Sequence, residues 1–316
     1  MALIMGADLA GMAAQNSALL APELVTVEGG TFMMGSPDFQ DALEHEVTVS
    51  TFRMGRNPVA NESYGRFVDS LRDQRFALIG ADVRTGSEKL LALASSASEA
   101  QSALAKMPIA QLFREAGEIA QGGAAKLMGA LIVAHLADHN PPPNFNRSKQ
   151  PAVMANWYSA FVYAALHQAR LPREAETEYA SRVVRGEKKL REYATPSGRL
   201  NKEEVCYDTT APAEVDDPKF PTLTNGLRHL AGLVWEWQGD WYRPYPNGRI
   251  TDPKGKITDP TGPVNGEYRV LRGGSWSVNN PVNLRAAFRS LYHPVVSYVD
   301  IGFRVVVAPE DSQKVT

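Results

Sequence analysis

The chain has one cysteine, Cys206, in 316 residues. That excludes an intrachain disulfide and any metal centre built wholly from thiolates. It also disfavours the small exported scaffolds, which usually lean on disulfides. No run reaches the ~20 apolar residues that cross a bilayer. The best candidate, residues 124–137, is interrupted by Lys126 and His135. The first fifteen residues are mildly apolar but contain no lysine or arginine, so they read as a tail and not as an export signal. A cytoplasmic location is the corresponding expectation, with export by a route that needs no recognisable signal as the alternative. An excess of charge is missing too. Lys+Arg 33 against Asp+Glu 35 leaves a formal net charge of −2, which argues against a chain dedicated to nucleic acid or anionic membranes. Sustained heptads are also absent, so the expectation is a monomer. There is no glycine-rich phosphate loop, no nucleophile elbow and no HExxH pair.

What is present is an ordinary globular composition, 44% hydrophobic and 22% charged. The length suits one large domain carrying an insertion. Residues 1–22 and 310–316 read as tails, and 23–309 as the domain. Two β-rich runs, 24–28 and 31–34, are broken by Gly29-Gly30 and predict a hairpin. Val47, Val49, Phe52 and Met54 continue in strand style, and the slip in their spacing predicts a bulge. Asn61 reads as the N-cap of a helix whose Tyr64, Phe67, Val68 and Leu71 share one face. Residues 73–147 are rich in Ala, Leu and Ser and form a predicted helical insertion, stopped by the prolines at 141–143. Helices are also predicted over 157–168 and after Pro172, with strands over 268–271 and 303–307.

Seven segments then follow in order: VEGGTFMMGS (27–36), NPVANESYGRFV (57–68), PAVMANWYSAFVYAA (151–165), ARLPREAETEYASR (169–182), GLRHLAGLVWEWQGDWY (226–242), YRVLRGGSW (268–276) and IGFRVV (301–306). Together they resemble the C-type lectin fold of the formylglycine-generating-enzyme (sulfatase-modifying factor) type. The resemblance implies an α+β domain held by buried aromatics and glycine turns. If residues 235–237 are extended, Trp235 and Trp237 face one way and Glu236 the other. Arg272 and Arg304, flanking the terminal strands, read as members of internal ion pairs.

The resemblance also implies chemistry that this chain lacks. The formylglycine-generating enzyme holds copper with a cysteine pair between its RGGS-type and GFR-type motifs. Residues 276–300 contain no cysteine, and the thiolate is the ligand that such chemistry needs. The expectation is therefore a chain that is not an enzyme, with no catalytic residue, no metal and no cofactor. The alternative is a metal-dependent oxidase or iron enzyme of the same superfamily with rearranged ligands. His135 and His139, spaced i,i+4 beside Asp138, are the one metal-type pair in the insertion, and they lack a third ligand. Family members often carry calcium near a GNVWEW segment. Here Leu233 replaces the usual Asn, leaving Glu236 and Asp240 as oxygen donors.

Residues 277–300, SVNNPVNLRAAFRSLYHPVVSYVD, contain no Lys, Glu, Gln, Met or Trp, where about four would be expected from the rest of the chain. Those five types cannot be reached by randomising the first two bases of an asparagine codon that keeps its pyrimidine third base. The layout RGGSW, asparagines, NLRAA, then IGFR resembles the variable region of proteins diversified by retroelements (diversity-generating retroelements). The resemblance implies a variable ligand-binding surface on a lectin-type scaffold. Its candidate residues are Ser277, Val278, Val282, Phe288, Ser290, Leu291, Tyr292, His293, Val295, Val296, Ser297, Tyr298, Val299 and Asp300. Arg285, Ala286, Ala287, Arg289 and Pro294 would be framework. The mixture of large aromatics with small polar groups suits a paratope. The expected partner is a macromolecule, a protein and not a nucleic acid. A plainer reading makes the segment a buried hairpin with Val295, Val296 and Val299 in the core.

Overall fold

In a computed structural model the chain is described over residues 22–73, 139–167, 169–245 and 258–307. Nearly all of the expected helical insertion, both tails and His135 lie outside those residues. Four strands open the domain: β1 (Leu24–Val27), β2 (Gly30–Met34), β3 (His45–Val49) and β4 (Phe52–Gly55). β1 pairs antiparallel with β4, and β2 with β3. Partner positions stay in one register across the break, from Leu24↔Gly55 through Val27↔Phe52 and Gly30↔Val49 to Met34↔His45.

Two expectations are corrected here. β1 and β2 do not fold onto each other; they lie end to end in one arm of a long hairpin. The slip after Val49 is not a bulge, because no residue is gained on either arm. It is a bend where both arms pass from one sheet to the other. Gly29 permits it: a Cβ there would stand 2.3 Å from the Val49 carbonyl oxygen. Its N–H donates to Thr51 Oγ1 at 3.0 Å. The reversal itself comes later, at residues 35–44, where Gly35 has φ +96° and the Ser36 N–H bonds to the Ala42 carbonyl.

Helix α1 (Asn61–Asp73) follows. The Asn61 amide donates to the carbonyls of Phe145 and Arg147, which ties the helix start to the far side of the insertion. Tyr64 and Phe67 face the core, against Tyr163 of α2 (Trp157–Leu166). Tyr64 and Tyr163 also meet Phe303 edge-on. Each such buried ring stabilises the fold by about 1.5–3 kcal/mol. Helix α3 (Glu174–Arg182) is buried along its whole length.

A third, four-stranded sheet has the order β7-β6-β5-β8. β5 (Trp235–Trp241) pairs antiparallel with β6 (Arg269–Arg272) and parallel with β8 (Ile301–Gly302); β7 (Ser290–Tyr292) extends β6. The expected extension over residues 235–237 is present. The expected strand over 303–307 is cut to its last two residues, and a separate short strand precedes it. β8 joins β5, while β9 (Val306–Val307) joins β4 in the three-stranded sheet. Between them Arg304 is fully buried and grips both carboxylate oxygens of Glu236 at 2.6 Å. It also donates to the carbonyls of Gly55 and Arg228. The crossing between sheets is thus held by one guanidinium, and the ion pairing expected of Arg304 is realised.

Candidate recognition surface

Residues 277–300 leave β6 through Gly273 and Gly274, at φ +95° and +78°. Only glycine fits the second position, since a Cβ there would approach the Leu284 side chain to 2.5 Å. A 3₁₀ turn over Pro281–Leu284 follows, started by the Asn280 side chain accepting from the Val282 N–H. Leu284, Ala286 and Ala287 are buried. Arg285 pairs with Asp38 at 2.7 Å and Glu192 at 3.0 Å. Arg289 forks onto Glu174 at 2.6 and 2.9 Å and lies over the rings of Tyr242 and Tyr245. Arg272 pairs with Glu178 beneath them. Burial alone would raise the Glu178 carboxyl, yet Arg272, Arg182 and the Gly35 N–H hold it below its ordinary range. Of the residues expected to be framework, Arg289 is fastened to α3 by a buried, forked ion pair, and Arg285 is tied instead to Asp38 and Glu192.

The second half of the segment is pinned by backbone bonds. The Pro294 carbonyl accepts from Trp157 N–H, that of Tyr298 from Met154, and that of Asp300 from Trp235. The Trp276 indole donates to Val299. On β7, Tyr292 stands opposite Arg269 of β6, which stands opposite Trp241 of β5. Register partners share a sheet face, so Trp241, Arg269 and Tyr292 form a row across three strands. The Arg269 guanidinium lies 3.4 Å from the Trp241 ring centre and 3.7 Å from that of Trp157, a close cation–π sandwich. Burial pulls its pKa down to about 9.

The structure sorts the candidate residues into three groups. Ser277, Val282, Tyr292 and Tyr298 are exposed. Phe288, Ser290, Leu291, Val295, Val296, Ser297, Val299 and Asp300 are half-buried. Val278 and His293 are buried, at 9% and 8% exposure, and for these two the expected exposure is corrected. Val278 joins the main core because its peptide group is tied on both sides, to Ser275 and to Asp208. His293 is drawn under Tyr268, and its two ring nitrogens have no hydrogen-bond partner among the described residues. Burial lowers its pKa, so the imidazole is neutral near pH 7. Phe288, Val295 and Val296 pack against the core from its edge. Phe288 lies between Phe39 and Trp235. The segment is thus neither a free loop nor a buried hairpin.

Two contributors lie outside the segment read from the sequence. Tyr268 is 36% exposed beside His293, and its place in a framework motif hid it. The loop over 35–44 supplies Phe39, Asp38 and Asp41, with Asp41 taking the Tyr242 hydroxyl. No local pattern pairs that loop with a segment some 250 residues later.

The metal-type groups are placed as follows. Both Glu236 oxygens are engaged by Arg304. Asp240 Oδ2 accepts from the Glu174 N–H, its Oδ1 has no partner among the described residues, and burial pushes its pKa up to about 7. The Leu233 side chain is buried and has no ligand atom, and its carbonyl accepts from the Trp276 N–H. These residues do not fit a calcium site: one carboxylate is already neutralised by a guanidinium, and hard cations need six or more oxygens. Among the described residues no three His, Cys, Asp or Glu side chains are grouped to hold a metal. His139 packs edge-on against Tyr64. Cys206 is buried, and burial pushes its thiol up. No described helix is long and apolar enough to cross a membrane.

Comparison with known proteins gives the setting. The family model of the sulfatase-modifying factor enzyme 1-like domain matches residues 10–309. The serine/threonine-protein kinase Pkn1 of Chlamydia trachomatis is 30% identical over 90% of this chain and 38% of its own length. The hercynine oxygenase of Mycolicibacterium thermoresistibile is 30% identical over 83% of this chain and 52% of its own length. The chain therefore spans about two fifths to one half of the length of these two relatives. Among solved structures, Treponema denticola variable protein 1 superposes with a TM-score of 0.57 at 18% identity, covering 90% of this chain and 95% of that one. The α+β, C-type lectin reading of the fold stands. The expectation that the chain is not an enzyme does not stand. Relatives matched over most of its length bear the names of enzymes, and the missing cysteine pair bears on one chemistry only.

Proposed function

The chain belongs to the sulfatase-modifying factor enzyme 1-like domain family, and from that premise we propose that it uses residues 277–300 as a recognition surface for a macromolecular ligand, a protein. The observation that carries this reading is the contrast within the segment. Arg289, Ala286 and Ala287 are buried in ion pairs and packing and Arg285 is half-buried in its own pairs, while Tyr292 and Tyr298 stand 39% and 47% exposed on a backbone pinned by hydrogen bonds. Rigid aromatic anchors give contact area at low ordering cost. The likeness of the fold to a protein titled a variable protein, together with the missing Lys, Glu, Gln, Met and Trp, supports a surface diversified by a retroelement.

The direct test is a random peptide library displayed on phage and panned on the whole protein. Wild type should enrich binders, and Tyr292→Ala/Tyr298→Ala should lose them. The double variant should melt within about 3 °C of wild type, since exposed side chains contribute little stability. A melting temperature lower by ten degrees would instead make these rings structural. Diversification has its own readout in the surrounding DNA. A near-copy of the codons for 277–300, differing at adenines and lying beside a reverse-transcriptase gene, is the expected finding; a locus without one would remove that part of the proposal.

A further inference from the structure

One carboxylate on the proposed surface is treated unlike its neighbours. Around the segment, Asp38, Glu174, Glu178, Glu192 and Glu236 all face arginines in ion pairs. Asp300 forms no ion pair among the described residues. Its Oδ2 accepts from the hydroxyls of Ser275 at 3.1 Å and Ser277 at 2.9 Å. Its Oδ1 has no partner among the described residues, and the residue is half-exposed. Its backbone is fixed as well, through the bond from Trp235. The result is an aimed negative charge with one open oxygen.

Beside it stand the two exposed rings. Tyr292 and Tyr298 meet at 5.2 Å between centroids and 60° between planes. Tyr298 and Asp300 lie in one turn, closed by the Ile301 N–H on the Tyr298 carbonyl at 3.2 Å, so the carboxylate shares the corner with the ring pair; burial first, then Tyr298 and Asp300, push the Tyr292 phenol up. The Tyr292 backbone is held in β7, at the end of the row that runs through Arg269 to Trp241. An angled pair of aromatic faces next to an unpaired carboxylate is complementary to a cation that carries apolar carbon. The rings attract it through their quadrupoles and the carboxylate through its charge. A carboxylate ligand would be repelled by Asp300, and a purely apolar ligand would strip water from Asp300 without replacing its bonds. A plainer account makes Asp300 a brace for the turn, but bracing uses Oδ2 alone.

We propose that the corner formed by Tyr292, Tyr298 and Asp300 accepts a basic side chain, arginine or lysine, of a protein ligand. The inference rests on the recognition-surface reading and adds the charge of the partner. Asp300→Asn separates the two roles of the carboxylate, because the amide oxygen still accepts from Ser275 and Ser277 while the charge is gone. The experiment pans the same peptide library on the whole protein, then measures binding of individual enriched peptides to wild type, Asp300→Asn and Tyr292→Ala/Tyr298→Ala.

Arginine or lysine should recur at one position of the peptides that need both tyrosines. Those peptides should bind Asp300→Asn about five- to tenfold more weakly, with melting unchanged, and binding should weaken as salt rises. Peptides that need the tyrosines yet show no basic preference, or that bind Asp300→Asn equally, would overturn this inference and leave the recognition surface standing. Enrichment of no tyrosine-dependent peptide would overturn both. An unfolded Asp300→Asn, judged by melting, would identify the carboxylate as a brace and remove the proposal.

Discussion

Replacing Arg304 with methionine should destabilise the protein by roughly 3–5 kcal/mol, the cost of stranding a buried charge. Arg304 is fully buried and supplies both hydrogen bonds that Glu236 accepts. Burial pushes the Glu236 carboxyl up even with the arginine in place. Without it the carboxyl either stays charged and unpaired or takes a proton, and the carbonyls of Gly55 and Arg228 lose their donor. The site also joins the four-stranded and three-stranded sheets, since the chain passes from β8 to β9 through this residue. Chemical denaturation of the single variant checks the size of the loss. Removing the partner as well, in Glu236→Leu/Arg304→Met, should recover a good part of it, because two apolar groups leave no unpaired charge. A loss below about 1 kcal/mol in the single variant would mean that the pair does not hold the crossing.

Acid should weaken the protein through His229, and His229→Asn should relieve much of that. The ring is buried, and its pKa is lowered to about 3 by burial first, then by Arg228 and Arg304. Its Nε2 lies 3.1 Å from the Val215 carbonyl. The folded state therefore keeps the imidazole neutral, while the unfolded chain takes up a proton below about pH 6.5. The sign follows from linkage. Between pH 6.5 and 3 the unfolded state binds more protons, so stability is complete above that window and falls as pH drops through it. From pH 6.5 to 4.5 alone the loss is about 2–3 kcal/mol, at 1.36 kcal/mol per pH unit.

His167 and His293 are also lowered by burial and add losses of the same sign. The informative quantity is therefore the difference between wild type and variant. Asparagine suits the position because residue 229 has φ +56°, a left-handed conformation that Asn adopts readily. Urea unfolding at pH 7 and pH 4.5 should show a visibly shallower drop for the variant. Equal drops would show that His229 does not titrate on unfolding.

Some of the architecture was legible residue by residue. The seven ordered motifs carried the fold class, and Arg272 and Arg304 read correctly as ion-pair members because a lone arginine in an apolar strand needs a buried partner. Arg285, Ala286, Ala287, Arg289 and Pro294, read as framework, are buried or held in ion pairs in the structure. The runs around Gly29-Gly30 were seen as strands but wrongly paired. A glycine pair looks the same whether the chain reverses there or lets a second arm come close. The side-chain spacing after Val49 changed because the ribbon bends, which gives the same pattern as a bulge.

Sequence alone determined that this chain would fold as an α+β domain of this family, that it could not use a cysteine pair for copper, and that residues 277–300 stand apart in composition. Local chemistry suffices for each of these, since they depend on which residues are present and in what order. The tertiary structure decided which members of that segment face water. It buried Val278 and His293, left Tyr292 and Tyr298 outside, drew in Tyr268 and the loop over 35–44, and left Asp300 as a carboxylate without a cationic partner. Exposure depends on what distant strands and loops place over a residue, and that packing is set by the whole fold.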